Sequence, residues 1–204
     1  MTMTTAVQNR RMLIQLSRKY VSVGTGSMLD YLNQIPRKQM TFHFQKILKN
    51  TPYLLVGGLA THFYMPARMT LDADILILTD DVPLIESKLT QANYQQKGRL
   101  SIGGSSWESP KGEILDVIVQ NSDWAADALK FPNFQKNIPV IPLPYLILMK
   151  LLAGRMQDLA DITRMLGQAT EQQLTQIRTV IAQYQPDALE DIESMVMLGK
   201  LETN

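Results

Sequence analysis

Tyr53-Leu-Leu-Val-Gly57-Gly58-Leu-Ala-Thr-His62-Phe-Tyr-Met-Pro-Ala-Arg68-Met-Thr70-Leu-Asp72-Ala-Asp74-Ile-Leu-Ile-Leu78 is the stretch around which the rest of the chain is read. It predicts a short apolar strand, a paired-glycine turn, one helix, and a buried strand with two carboxylates at its start. Successive side chains alternate across a strand. Asp72 and Asp74 therefore share one face, and Ala73, Ile75 and Ile77 occupy the other.

Two carboxylates on one face repel, and holding them beside an apolar core is costly without a positive charge between them. A divalent cation meets that need. Mg²⁺ takes hard oxygen ligands, commonly one or two carboxylates plus water and substrate phosphates. The Gly57-Gly58 turn supplies the complement: glycine lets backbone approach a ligand closely, and a helix N-terminus favours an anion. The stretch reads as a phosphate cradle facing a metal site.

With 204 residues, 45% of them hydrophobic, the chain is long enough for one sizeable core or a core with a helical appendage. It has no cysteine, which excludes disulfides and thiolate metal sites and fits a reducing cytoplasm. The apolar run from Ile138 to Leu152 is interrupted by Pro139, Pro142, Pro144 and Lys150, so no membrane span is expected. The first residues hold no apolar segment of signal-peptide length. A cytoplasmic protein is the expectation. Its net charge of +1 hides an asymmetry: positions 1–50 carry Arg10, Arg11, Arg18, Lys19, Arg37, Lys38, Lys46 and Lys49 against the single acid Asp30, leaving the remainder at −6. Such a split suits a phosphate-rich partner such as RNA, or equally the solvated faces of N-terminal helices.

Helices are expected over 8–20, from Ser27 to Leu32 and over 40–48, forming a basic N-terminal arm (1–50) ahead of a core (51–142) and a C-terminal helical part (143–204). Asp80-Asp81-Val-Pro83 opens a helix to about Ala92. Tyr94–Ser106 reads as strand, turn and strand ending in Gly103-Gly104-Ser105-Ser106, and Glu113–Val119 as a strand with Asp116 between Leu115 and Val117. A buried acid in such a strand must face a cavity, a partner or a metal. Glu113, at the strand's edge, is the weaker alternative. A helix follows from Ser122-Asp123 to about Leu129, and 131–142 reads as a proline-bearing connection. Four helices close the chain, about 144–152, 157–166, 171–184 and 186–200, with breaks at Gly154 and Gly167. His43 and His62 are too few and too badly spaced for a histidine metal site.

The order apolar strand, Gly-Gly, about a dozen residues, and Asp-x-Asp in an apolar run resembles the polymerase β-like nucleotidyltransferase superfamily. Arg68-x-Thr70-x-Asp72-x-Asp74 with Lys150-Leu-Leu-Ala-Gly-Arg155-Met-Gln-Asp158-Leu-Ala-Asp161 looks like its AbiEii-type bacterial branch, which includes toxins of toxin-antitoxin pairs. The likeness covers roughly positions 50–168. It implies an α/β fold, a small mixed twisted sheet flanked by helices. It also implies Mg²⁺-dependent transfer of a nucleoside monophosphate from an NTP such as ATP to a hydroxyl of RNA (tRNA), protein or a small antibiotic, with a cognate antitoxin as partner. Asp72, Asp74 and Asp116 would hold two metal ions and Asp116 would activate the acceptor. Gly57, Gly58, Arg68, Thr70, Lys150, Arg155 and Asp158 would bind the nucleotide, with Lys150 offsetting developing charge; Arg68 could instead simply neutralise the acids. Many superfamily members have Gly-Ser where this chain has Gly57-Gly58, so one hydroxyl contact is lost. That leaves open a second reading, a degenerate module that binds nucleotide or regulates without turnover.

Overall fold

The computed structural model describes residues 43–203 apart from 67–69, 71 and 136. The helices expected before residue 43, and with them most of the basic arm, lie outside the described residues. The described part forms two compact units, one ending at Pro142 and one beginning at Leu143.

The first unit is a mixed α/β layer. Helix α1 (His43–Ile47) precedes β1 (Leu54–Val56), α2 (Gly57–Thr61) and β2 (Ala73–Leu78). A 3₁₀ turn leads into α3 (Val82–Gln91), with Pro83 in its first turn, and then β3 (Gln95–Arg99), β4 (Gly104–Glu108), β5 (Ile114–Gln120), α4 (Asp123–Lys130), β6 (Asn133–Gln135) and β7 (Ile138–Val140). The sheet order is β3-β4-β5-β2-β1-β7-β6. Strand β2 runs antiparallel to β1 and parallel to β5. Its Ala73, Ile75 and Ile77 are buried, with Leu115, Val117 and Trp107 continuing that face on β5 and β4. Burying such side chains contributes on the order of 1.5–3 kcal/mol each.

Turn chemistry explains several boundaries. Asn93 takes φ 60° after α3, and the Tyr94 N–H returns to the Leu89 carbonyl, a left-handed stop with the buried Tyr94 sealing it. Gly103 and Gly104 adopt φ 95° and 108°, so this pair makes the β3–β4 turn and begins the second strand rather than ending it. The proline-bearing connection expected over 131–142 is instead a hairpin that widens the sheet. Asn137, at φ 67°, turns it, and β7 lies parallel to β1, with the Ile141 N–H bonded to the Leu55 carbonyl at 3.0 Å. Three-residue strands carry too little alternation to be seen in sequence, and Pro139 argued against pairing.

The second unit is helical: α5 (Leu143–Ala153), α6 (Met156–Gln168), α7 (Glu171–Tyr184), a 3₁₀ turn and α8 (Leu189–Thr203). Thr170 and Gln173 cap α7 reciprocally. Gly154 does end α5, at φ 64°. Gly167 does not break α6 but lies inside it, where α6 crosses α8. A Cβ on Gly167 would fall 2.4 Å from the Gly199 carbonyl oxygen, and one on Gly199 would fall 2.2 Å from that of Thr163. Because backbone meets backbone, no rotamer relieves the clash. Gly199→Ala should therefore destabilise the fold by about 1–3 kcal/mol despite alanine's better helix propensity. Denaturant titration checks this, and a midpoint at or above wild type would refute the close crossing. No described helix is long and apolar enough to cross a membrane.

Candidate active site

Register brings the acids together. Asp74 on β2 pairs with Asp116 on β5, and neighbouring parallel strands lie about 4.8 Å apart with in-register side chains on one face. Both residues are half-buried, whereas the alternate positions Ala73, Ile75, Leu115 and Val117 are buried. Among the described residues, the Oδ1 of Asp116 is buried without a hydrogen-bond partner. An orphan carboxylate oxygen is expensive to maintain, and an oxygen-seeking cation is the ligand that would satisfy it.

Gly57 completes the pair. Strand β1 delivers it next to β2, since Val56 is the partner of Asp74. Its φ is 64°, and a Cβ here would fall 1.9 Å from Oδ2 of Asp74. Only glycine fits on both counts. Gly58 is buried in α2, where its carbonyl accepts the Thr61 hydroxyl at 2.6 Å. The helix expected after the glycines is only this five-residue turn, so its macrodipole is a weak aid to an anion. Beyond it the half-buried Tyr64 donates to the Ile141 carbonyl at 2.7 Å and accepts from Asn133 Nδ2 at 3.0 Å, tying the loop to the β6–β7 hairpin. Burial pushes the Tyr64 hydroxyl up and the Asn133 contact offsets this in part, so it stays a donor.

The other expected site residues are placed as follows. Asp72 lies one residue before β2, on the Asp74 side of the chain, and is exposed. Thr70 is half-buried, and Arg68 lies outside the described residues. Among the described residues no three acidic or histidine side chains converge closely enough to hold a metal together. The pair Asp74 and Asp116 is what the fold assembles.

Lys150, Arg155 and Asp158 belong to the helical unit. Lys150 is 5% exposed, and its ammonium lies 2.9 Å from Asp158 Oδ1 and 2.8 Å from Asp161 Oδ2, both carboxylates being buried. Gln157 Nε2 donates to Asp161, and the exposed Arg155 pairs with Asp158 at 2.6 Å. The lysine's anionic partners thus come from the next helix and not from its own. Asp161 is the member that sequence reasoning left out of the site. Its signal was the three-residue spacing from Asp158, which puts both acids on one face of α6 between the buried Leu159 and Ile162. Ser106, on β4 opposite Asp116, was also missed, because register between strands is invisible before the fold is known.

No protein-family profile matches the chain. No curated protein matches it either. Among solved structures, similarity is found to ANT(2″)-Ia in complex with adenylyl-2″-tobramycin, at 15% identity and a TM-score of 0.43 over 79% of this chain and 97% of that one. A solution structure of the antibiotic-resistance factor ANT(2″)-Ia is similar at 12% identity and a TM-score of 0.44, over 74% and 87%. A candidate nucleotidyltransferase from H. pylori is similar at 14% identity and a TM-score of 0.47, over 98% of this chain and 95% of that one.

Proposed function

We propose that the chain is a Mg²⁺-dependent nucleotidyltransferase that moves a nucleoside monophosphate from an NTP to an acceptor hydroxyl. The observation that supports this best is the Asp74–Asp116 pair, with its orphan buried oxygen and with Gly57 closed against it. Asp74 and Asp116 would hold the metal, with the exposed Asp72 on the same side of the chain as a further carboxylate. Bound there, Mg²⁺ would neutralise phosphate charge and stabilise the leaving oxygen. Gly57 and Gly58 keep the β1 flank low enough for phosphates to approach the backbone. Asp116 takes the proton of the acceptor O–H as its oxygen forms a bond to the α-phosphorus; the bond to the bridging oxygen breaks, and pyrophosphate leaves with that electron pair. Lys150 faces two buried carboxylates, which favours a fold-holding part for it, and Arg155, which pairs with Asp158, would be a nucleotide contact. A toxin role with a cognate antitoxin belongs to the same proposal.

Calorimetric titration with each of the four NTPs, with and without Mg²⁺, tests the reading. Wild type should bind an NTP in a Mg²⁺-dependent way, and Asp72→Asn with Asp74→Asn should remove the metal-dependent part. Unchanged Mg²⁺-dependent affinity in the double variant would overturn the metal assignment. Labelled NTPs offered with tRNA, total protein and aminoglycosides then identify the acceptor; nucleotide bound with no acceptor labelled would favour the non-enzymatic module.

A further inference from the structure

The two flanks of the carboxylate pair differ. Towards β1, Leu54, Val56 and Leu76 are fully buried and Gly57 closes on Asp74. Away from β1, register continues the row from Asp116 to Ser106 on β4, and from Ser106 to Gly98 on β3. Directly opposed residues on antiparallel strands share a face, with Cβ atoms about 4.5–5.5 Å apart. The Ser106 hydroxyl is therefore the immediate neighbour of the Asp116 carboxylate. Ser106 is half-buried, and among the described residues neither side chain has a hydrogen-bond partner. Farther out the floor opens: β3 is exposed at every position, and a side chain at Gly98 would meet nothing within 4 Å.

Resting on the nucleotidyltransferase reading, we propose that Ser106 is an acceptor-positioning residue and that the acceptor enters over β4 and Gly98. The assignment follows from the order of the row. The glycine cradle for phosphates lies on the β1 side of Asp74, and the group that takes the acceptor's proton, Asp116, lies on the other. An incoming hydroxyl then has Ser106 as its nearest polar neighbour. A serine hydroxyl both donates and accepts, so it can donate to a lone pair of the acceptor oxygen while that oxygen's own proton points at Asp116. Ser106 neither gains nor loses a proton in the step. Its contribution is to fix the attack direction, and at this position it supplies a hydroxyl to a site whose glycine pair lacks one.

Substitutions at two positions test this, in separate arms with tRNA, total protein and aminoglycosides as acceptors. Ser106→Ala should slow transfer by about tenfold, the effect of one hydrogen bond, with Mg²⁺·NTP affinity unchanged, and Ser106→Thr should restore it. Gly98→Trp, which has room and leaves the hydroxyl in place, should raise the acceptor KM at least severalfold without altering Mg²⁺·NTP affinity. Unliganded melting temperatures close to wild type would exclude misfolding as the cause. Wild-type kinetics in both Ser106→Ala and Gly98→Trp would overturn the proposal, as would an equal loss of Mg²⁺·NTP affinity in Ser106→Ala, which would move Ser106 to the nucleotide side. Wild type that binds Mg²⁺·NTP but labels nothing would remove the acceptor role and leave the nucleotide site standing. Wild type that binds no Mg²⁺·NTP would remove both.

Discussion

Asp116→Asn should lose nucleotidyl transfer by about 10²–10⁴-fold, the usual effect of removing a general base, while still binding NTP and melting at a higher temperature than wild type when metal is absent. The opposite signs come from one geometry. Without a cation, Asp116 holds a buried oxygen with no partner among the described residues, beside a second carboxylate, Asp74, in register on the next strand. Neutralising one member removes both the desolvation cost and the like-charge repulsion. Stability given up to keep an active arrangement is regained when the arrangement is dismantled. Single-turnover transfer and thermal unfolding in chelator measure the two halves. Equal transfer rates in variant and wild type would refute the role given to Asp116, and a lower melting temperature would refute the account of its unpaired charge.

Lys150→Met should destabilise the chain by about 3–5 kcal/mol, the loss expected when one partner of a buried ion cluster is removed. Asp158 and Asp161 are 1% and 0% exposed, so water cannot replace the ammonium that faces them. Arg155 pairs with Asp158 from the solvent side and would compensate only there. Adding Asp158→Asn and Asp161→Asn to Lys150→Met should recover part of the loss, since no uncompensated charge then stays buried. Denaturant unfolding of the single and triple variants decides it. A cost below about 1 kcal/mol for Lys150→Met would mean that the lysine's charge serves something other than the fold.

Local patterns were legible in the sequence. Alternation over Asp72–Leu78 placed Asp72 and Asp74 on one side of the chain, the proline at 83 marked a helix start, and the apolar frame around Asp116 made it a strand acid. What depended on long-range pairing was not. The partnership of Asp74 with Asp116, the neighbourhood of Ser106, and the seating of β7 beside β1 are set by register between distant segments, which no local periodicity encodes. Gly167 shows the same limit from the other side. Its local meaning is a helix stop, and its actual role is fixed by a second glycine more than thirty residues later. Lys150 was read as a nucleotide-binding cation, and the carboxylates that face it come from the next helix, where sequence separation is no guide to distance.

The parallel pairing of β2 with β5 also has a kinetic meaning. Strands β3, β4 and β5 follow one another through short turns and can zip locally, whereas β2 joins β5 across that whole meander, and β7 must find β1 across nearly the whole unit. Non-local pairings pay loop-closure entropy before any contact rewards them, so they form late. The two acids consequently become neighbours only after the local β3–β4–β5 meander has formed. A newly made chain would acquire its local hairpins first and the juxtaposition of Asp74 with Asp116 later, so a partly folded molecule lacks the carboxylate pair.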